Sequence, residues 1–249
     1  MPRIFLISLT SLLLSTAPQA ARPDTGDQHL IDSGNRLAAV LRAGRSVVSE
    51  NQELINDAAI GDKGLTPEAF LEQVVATYAA TNGEPPLTPD LTELQTRLTE
   101  AQLAAMGEVI AEAQDQLNAQ DIGFKGFIPA IFARLTNERF GEKVGDLASI
   151  KVTAPPHLVR NRKARPDAWE AAVIEERFLS SDWQAGASFE EMTEGADGEV
   201  FRMLLPEYYS ASCLSCHGQP AGEVDVTGFP KEGGAEGDLG GAISITLKP

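Results

Sequence analysis

Cys213 and Cys216 are the only cysteines of this 249-residue chain, and they stand in the run Cys213-Leu214-Ser215-Cys216-His217. Types and spacing point to one chemistry. Two thiols on a tight turn each add to a vinyl group of a haem, and the histidine that follows lies against the iron as proximal ligand. Competing readings ask for residues or contexts that the chain does not supply. A structural zinc site takes four ligands, usually from two such pairs; there is no second pair, and His29 and His157 are remote in sequence. A thioredoxin-like dithiol belongs at a strand-to-helix turn of a βαβ unit, whereas Gly218-Gln219-Pro220-Ala221-Gly222 follows here and stops any helix. A disulfide across two intervening residues closes too small a loop to stabilise much. The expected cofactor is therefore one covalent haem c, attached at Cys213 and Cys216 and ligated by His217.

The elements that must position this motif divide into two kinds. At the start, Arg3 precedes an apolar run from Ile4 to Leu14, and Ser15, Ala17, Ala20 and Ala21 supply small residues for cleavage. Residues 1–20 thus read as a secretory signal peptide, with a core too short to span a bilayer. No transmembrane segment is expected after its removal, and the expected location is the periplasm, where haem attachment follows export. The chain carries 20 basic and 36 acidic residues, a formal net charge of −16. This excludes nucleic acid and anionic lipid as partners and suits a basic redox partner. Apolar positions at helical spacing predict helices over 30–59, from Thr66-Pro67 to about Asn82, from Thr88-Pro89 to about Gln120, and from Pro129 to Phe140. No internal repeat is apparent. The second half predicts a strand at 148–153, a helix from Pro166 to about Ser180, a hairpin over 187–193 and 199–205 about the turn Gly195-Ala196-Asp197-Gly198, and a strand at 241–247. Helices first and mostly antiparallel strands after give an α+β class, in a single domain over 21–249 with a helical part at about 27–145 and an α/β haem-attachment part at about 146–249.

Several segments together resemble a known family. Arg45-Ser46-Val47-Val48, Asn51 to Asp57, Gly61-Asp62-Lys63-Gly64 and Phe124 to Pro129 are followed by Ile150 to Thr153, Arg160-Asn161, Pro166 to Glu170, Cys213 to Gly218, and Gly237-Asp238 with Gly241 to Ser244. In this order they are similar to the PAS-like c-type haem domain family of unknown function, over nearly the whole mature chain. The resemblance implies long N-terminal helices packed with a PAS-like, mostly antiparallel sheet that carries a covalent haem. It also implies an exported protein of the kind found free or ahead of bacterial signal transducers. Some members are similar to a haem protein with a cysteine thiolate as distal ligand, and this chain has no cysteine to spare.

The distal ligand must then come from elsewhere. His157, in the loop before Arg160-Asn161, and Met106, in the third helix, are the candidates, alongside an open or water-occupied sixth position. His157 also reads as a solvated loop residue, and Met106, like Met192 and Met203, as core. Arg160, with Arg162, Lys163 and Arg165, can pair with haem propionates or form a basic surface loop. Phe124, Phe127 and Phe132 suit either a porphyrin wall or an ordinary core. Tyr208 and Tyr209, just before the motif, can pack on the ring or hydrogen-bond a propionate. No nucleophile, general base or second metal site can be isolated, so catalysis is not expected. Two functions are expected: a redox or gas sensor or binding module, with a diatomic gas as ligand, or a periplasmic electron-transfer cytochrome with a redox partner.

Overall fold

The computed structural model describes residues 25–249, and the expected leader lies outside them. The helices come first: α1 (Thr25–Glu50), α2 (Gln52–Asn56), α3 (Pro67–Asn82), α4 (Glu93–Glu112), α5 (Gln114–Leu117) and α6 (Pro129–Val144). After β1 (Ala148–Thr153) come α7 (Ala168–Val173), continued by a π-helical turn over Ile174–Phe178, then β2 (Phe189–Gly195), β3 (Gly198–Tyr208), the one-turn α8 (Leu214–His217) and β4 (Leu239–Leu247). Among the described residues no helix is long and apolar enough to cross a membrane. The fold is mixed helix plus a four-stranded antiparallel sheet, as the α+β expectation has it.

Local chemistry sets the helix ends. Thr66 caps α3, its hydroxyl accepting from Ala69 N at 3.2 Å with Pro67 in the first turn, and Gly83 closes it with φ of 82°. The helix expected from Thr88 begins instead after Thr92, because Thr92 and Gln95 form a reciprocal capping box that outcompetes the earlier Thr-Pro signal. The two long helices expected to reach Ala59 and Gln120 are each interrupted, at Asn51 and at Ala113, before a short continuation as α2 and α5.

Those matched interruptions belong to an internal repeat that periodicity alone does not reveal. Gln52, Asn56, Ile60, Gly61, Lys63, Gly64, Pro67 and Phe70 recur as Gln114, Asn118, Ile122, Gly123, Lys125, Gly126, Pro129 and Phe132. The two copies bind each other reciprocally. Asn118 accepts from Lys63 N at 3.0 Å, and Asn56 accepts from Lys125 N at 2.9 Å. Gln52 donates to Val48 O and Phe127 O, and Gln114 to Ile110 O and Leu65 O. Each buried lysine turns its ammonium onto carbonyls of its own loop, Lys63 onto Asp57 and Ile60 and Lys125 onto Ile122. Phe70 and Phe132 meet with ring centroids 5.2 Å apart. Both are fully buried, and each contributes about 2–3 kcal/mol relative to exposure. The helical part is thus two helix-loop-helix units related by an approximate two-fold.

The sheet order is β1-β4-β3-β2, so β4 lies between β1 and β3. Side chains alternate across it. Phe201, Met203, Leu205, Ile243, Ile245 and Leu247 join the helical core in one continuous apolar cluster, while Leu204 and Ala242 face a second cluster with Val173, Ile174 and Phe178. Close approach of α1 to the sheet needs Gly34, where a Cβ would stand 2.5 Å from Met203 Sδ. Near the C-terminal end of β3, Glu207 pairs with both Arg42 and Arg45 of α1. The hairpin turns at Gly195 opposite Gly198, as expected, but β3 runs three residues beyond Leu205 because β4 supplies partners as far as Tyr208.

Candidate functional site

β3 delivers the chain to the motif. Tyr209 leaves the sheet, its N–H donating to Asp238 O at 2.9 Å and its carbonyl accepting from Gly237 N at 2.9 Å. A tight turn over Ala211–Cys213 leads into α8, which Gly218 ends by donating to Leu214 O at 2.9 Å. Cys213 and Cys216 are both free and partly exposed on this turn. The 218–238 segment then folds back over it, and Gly234 N donates to His217 O at 2.8 Å.

His217 is held on two sides. Its Nδ1 lies 2.8 Å from Glu232 Oε2, and its ring stacks on Tyr209 with centroids 5.0 Å apart and planes 20° apart. Tyr209 has no room to move, because backbone passes close to both of its edges: a Cβ at Gly234 would stand 2.7 Å from Cε2, and one at Gly240 would overlap Cε1 and Cδ1. Its hydroxyl is buried with no hydrogen-bond partner among the described residues. Burial, reinforced by the nearby Glu232 charge, pushes the Tyr209 phenol up to about 12. It therefore stays protonated in ordinary buffers.

Arg160 ties the surroundings together. Its Nε and Nη2 meet the two Glu232 oxygens at 2.8 and 3.0 Å, its Nη1 meets Asp225 Oδ2 at 2.6 Å, and Nη2 also donates to Cys216 O at 2.9 Å. The guanidinium lies 5.4 Å from the Phe229 ring centroid. The Asp225 side chain is fully buried, and its Oδ1 accepts from Thr227 N, Thr227 Oγ1 and Phe229 N. Burial disfavours the charge on Asp225, but the bonds from Thr227 and Arg160 outweigh it and hold the carboxyl well below the usual range. Glu232 is lowered in the same way, burial being overcome by hydrogen bonds from Arg160 and His217.

The sequence candidates separate in space. Cys213, Cys216, His217, Tyr209 and Arg160 come together, but Arg160 spends its fork on protein carboxylates and a carbonyl, so the geometry gives it a role in holding the turn. Tyr208 points elsewhere, its hydroxyl accepting from Gly186 N at 3.2 Å. His157 is exposed on a short turn over Pro156–Leu158. Met106 is fully buried in the helical core, next to Gly44 and close to where Phe132 packs. Phe127 and Phe132 line that same core, 6.3 Å apart, and Lys163 pairs with Glu138. Glu232 and Asp225 escaped sequence reasoning. The one available signal was the length of the Gly- and Pro-rich segment between α8 and β4, since long segments without secondary structure within compact domains are usually functional.

The chemistry of the donor set fits a covalent haem. Two free thiols share one turn with a histidine whose Nδ1 is already engaged, which leaves Nε2 for an iron. Fold and turn together define a class, a mixed α+β domain compatible with a c-type haem protein. The chain belongs to the Tll0287-like family, whose model matches residues 26–248. No curated protein and no solved structure matches it.

Proposed function

We propose that this chain is an exported c-type monohaem protein of PAS-like build that works as a redox or gas sensor or binding module, with haem joined to Cys213 and Cys216 and ligated by His217. The observation that carries this is the pairing of His217 Nδ1 with Glu232 at 2.8 Å beside two free thiols on one turn. A carboxylate on a ligating imidazole fixes its tautomer and raises its basicity. Bound there, haem supplies a one-electron iron couple and an axial position for a small ligand. The protein's part is to orient the imidazole through Glu232 and Tyr209 and to hold the turn through Arg160. The antiparallel sheet with a helical segment between β1 and β2 supports the PAS-like description, and the leader supports a periplasmic location.

Electron transfer is the second reading, favoured by the partial exposure of both cysteines, which places the attachment turn at the surface. The two separate by one experiment on the purified, reduced protein. Ready binding of CO or NO, followed by absorption spectroscopy, supports the sensor or binding module. Failure to bind, with fast electron exchange, supports the carrier. Acid-acetone extraction that frees the haem from the wild-type protein would refute covalent attachment altogether.

A further inference from the structure

We propose that Glu232, oriented by Arg160, is the positioning residue that sets the electron donation of His217 and thereby lowers the potential of the iron it ligates. This rests on the haem reading above. The acceptor at Nδ1 of a ligating histidine can be water, a backbone carbonyl or a carboxylate, and the anionic acceptor donates most. A more basic ligand favours the higher oxidation state of the iron, so the couple moves down.

Glu232 is built into the site rather than resting against it. Arg160 grips both of its oxygens at 2.8 and 3.0 Å, so the carboxylate presents Oε2 to His217 in one orientation. The same guanidinium is shared with the fully buried Asp225 carboxylate at 2.6 Å. One cation thus serves two anions, and the group keeps an excess negative charge beside the proximal imidazole. Arg160 also donates to Cys216 O at 2.9 Å, which fixes the distance between this charge and the turn that bears the ligand. Tyr209, stacked on one face of the imidazole, restrains its rotation and so helps keep Nδ1 on Glu232.

The test uses the full haem-loaded protein and two variants. Glu232→Gln keeps the length and an acceptor but removes the charge. Covalent haem is retained, and the midpoint potential rises enough to change the oxidised-to-reduced ratio at fixed ambient potential at least tenfold, about 59 mV for a one-electron couple. Glu232→Asp keeps the carboxylate and shows little of that shift, its potential staying near that of the wild type. A Glu232→Gln protein with its haem attached and an unchanged potential overturns the proposal and leaves the haem reading standing. Loss of haem from the wild type on acid-acetone extraction overturns covalent attachment instead. Should Glu232→Gln fail to accumulate, the ferric wild type decides by proton NMR: a slowly exchanging, hyperfine-shifted Nδ1 proton on His217 supports the pairing, and rapid exchange with solvent overturns it.

Discussion

Gly240→Ala probes the packing that holds His217 in place. The added methyl would stand 2.5 Å from Tyr209 Cδ1 and 2.9 Å from its Cζ, well inside the ~3.5–4.0 Å at which carbon atoms rest against each other. The ring has no retreat. Its opposite edge faces Gly234, its face stacks on His217 at 5.0 Å, and the whole residue is 7% exposed. Overpacking a site of this kind costs about 1–3 kcal/mol, which the ~0.5–1 kcal/mol returned by replacing a strand glycine does not offset. The cause is isolated by a double-mutant cycle. In a Tyr209→Ala background the ring is gone and the methyl has space, so the same substitution becomes neutral or stabilising. Urea unfolding of the four proteins, followed by far-UV circular dichroism, gives the coupling directly. A Gly240→Ala cost equal in both backgrounds to within about 0.5 kcal/mol would refute the claim that Tyr209 is pinned between the two glycines.

Two further perturbations test other parts of the molecule. Asn56→Ala and Asn118→Ala each strip the acceptor from the opposite loop's lysine amide and cost about 1–2 kcal/mol apiece in urea unfolding; a cost at only one of the two would break the equivalence of the repeats. Asp225→Asn leaves Arg160 with one anion instead of two and costs about 3 kcal/mol at neutral pH. Because the folded Asp225 carboxyl lies below its unfolded value, its stabilisation is complete above about pH 3.9. It fades as pH falls from there and is lost below the folded value. Stability measured from neutral to acid pH therefore falls less steeply below about pH 4 in the variant, and an identical acid limb would count against the assignment.

Much of the fold was legible because its signals are local. Thr66-Pro67, Pro129 and the Gly195-to-Gly198 turn each act within a few residues, and the strand at 148–153 appears where its pattern puts it. Where two local signals competed, at Thr88 and Thr92, only the capping geometry decided between them. The repeat was hidden because most of its matching residues are polar or glycine and the few apolar ones, such as Phe70 and Phe132, are too sparse to set a hydrophobic period; their meaning lies in contacts between loops far apart in sequence. The site shows the same division. Cys213, Cys216 and His217 announce themselves by spacing, whereas Glu232 and Asp225 acquire a role only when Arg160 arrives from a distant segment. Met106 illustrates the reverse, a residue of ligand-capable type that helix packing commits to the interior.

The strand order has a consequence for assembly. β4 occupies the middle of the sheet, between β1 and β3, yet it follows the Cys213-to-His217 turn in the chain. A polypeptide that emerges N-terminus first presents both thiols while the central place in the sheet is still empty and Gly240 has not yet closed over Tyr209. All the residues of the helical scaffold, with its reciprocal loops, have emerged by then. Chemistry on the cysteines thus has an interval in which the turn is tethered at one end only, and the arrival of β4 ends that interval by locking the finished turn against the sheet.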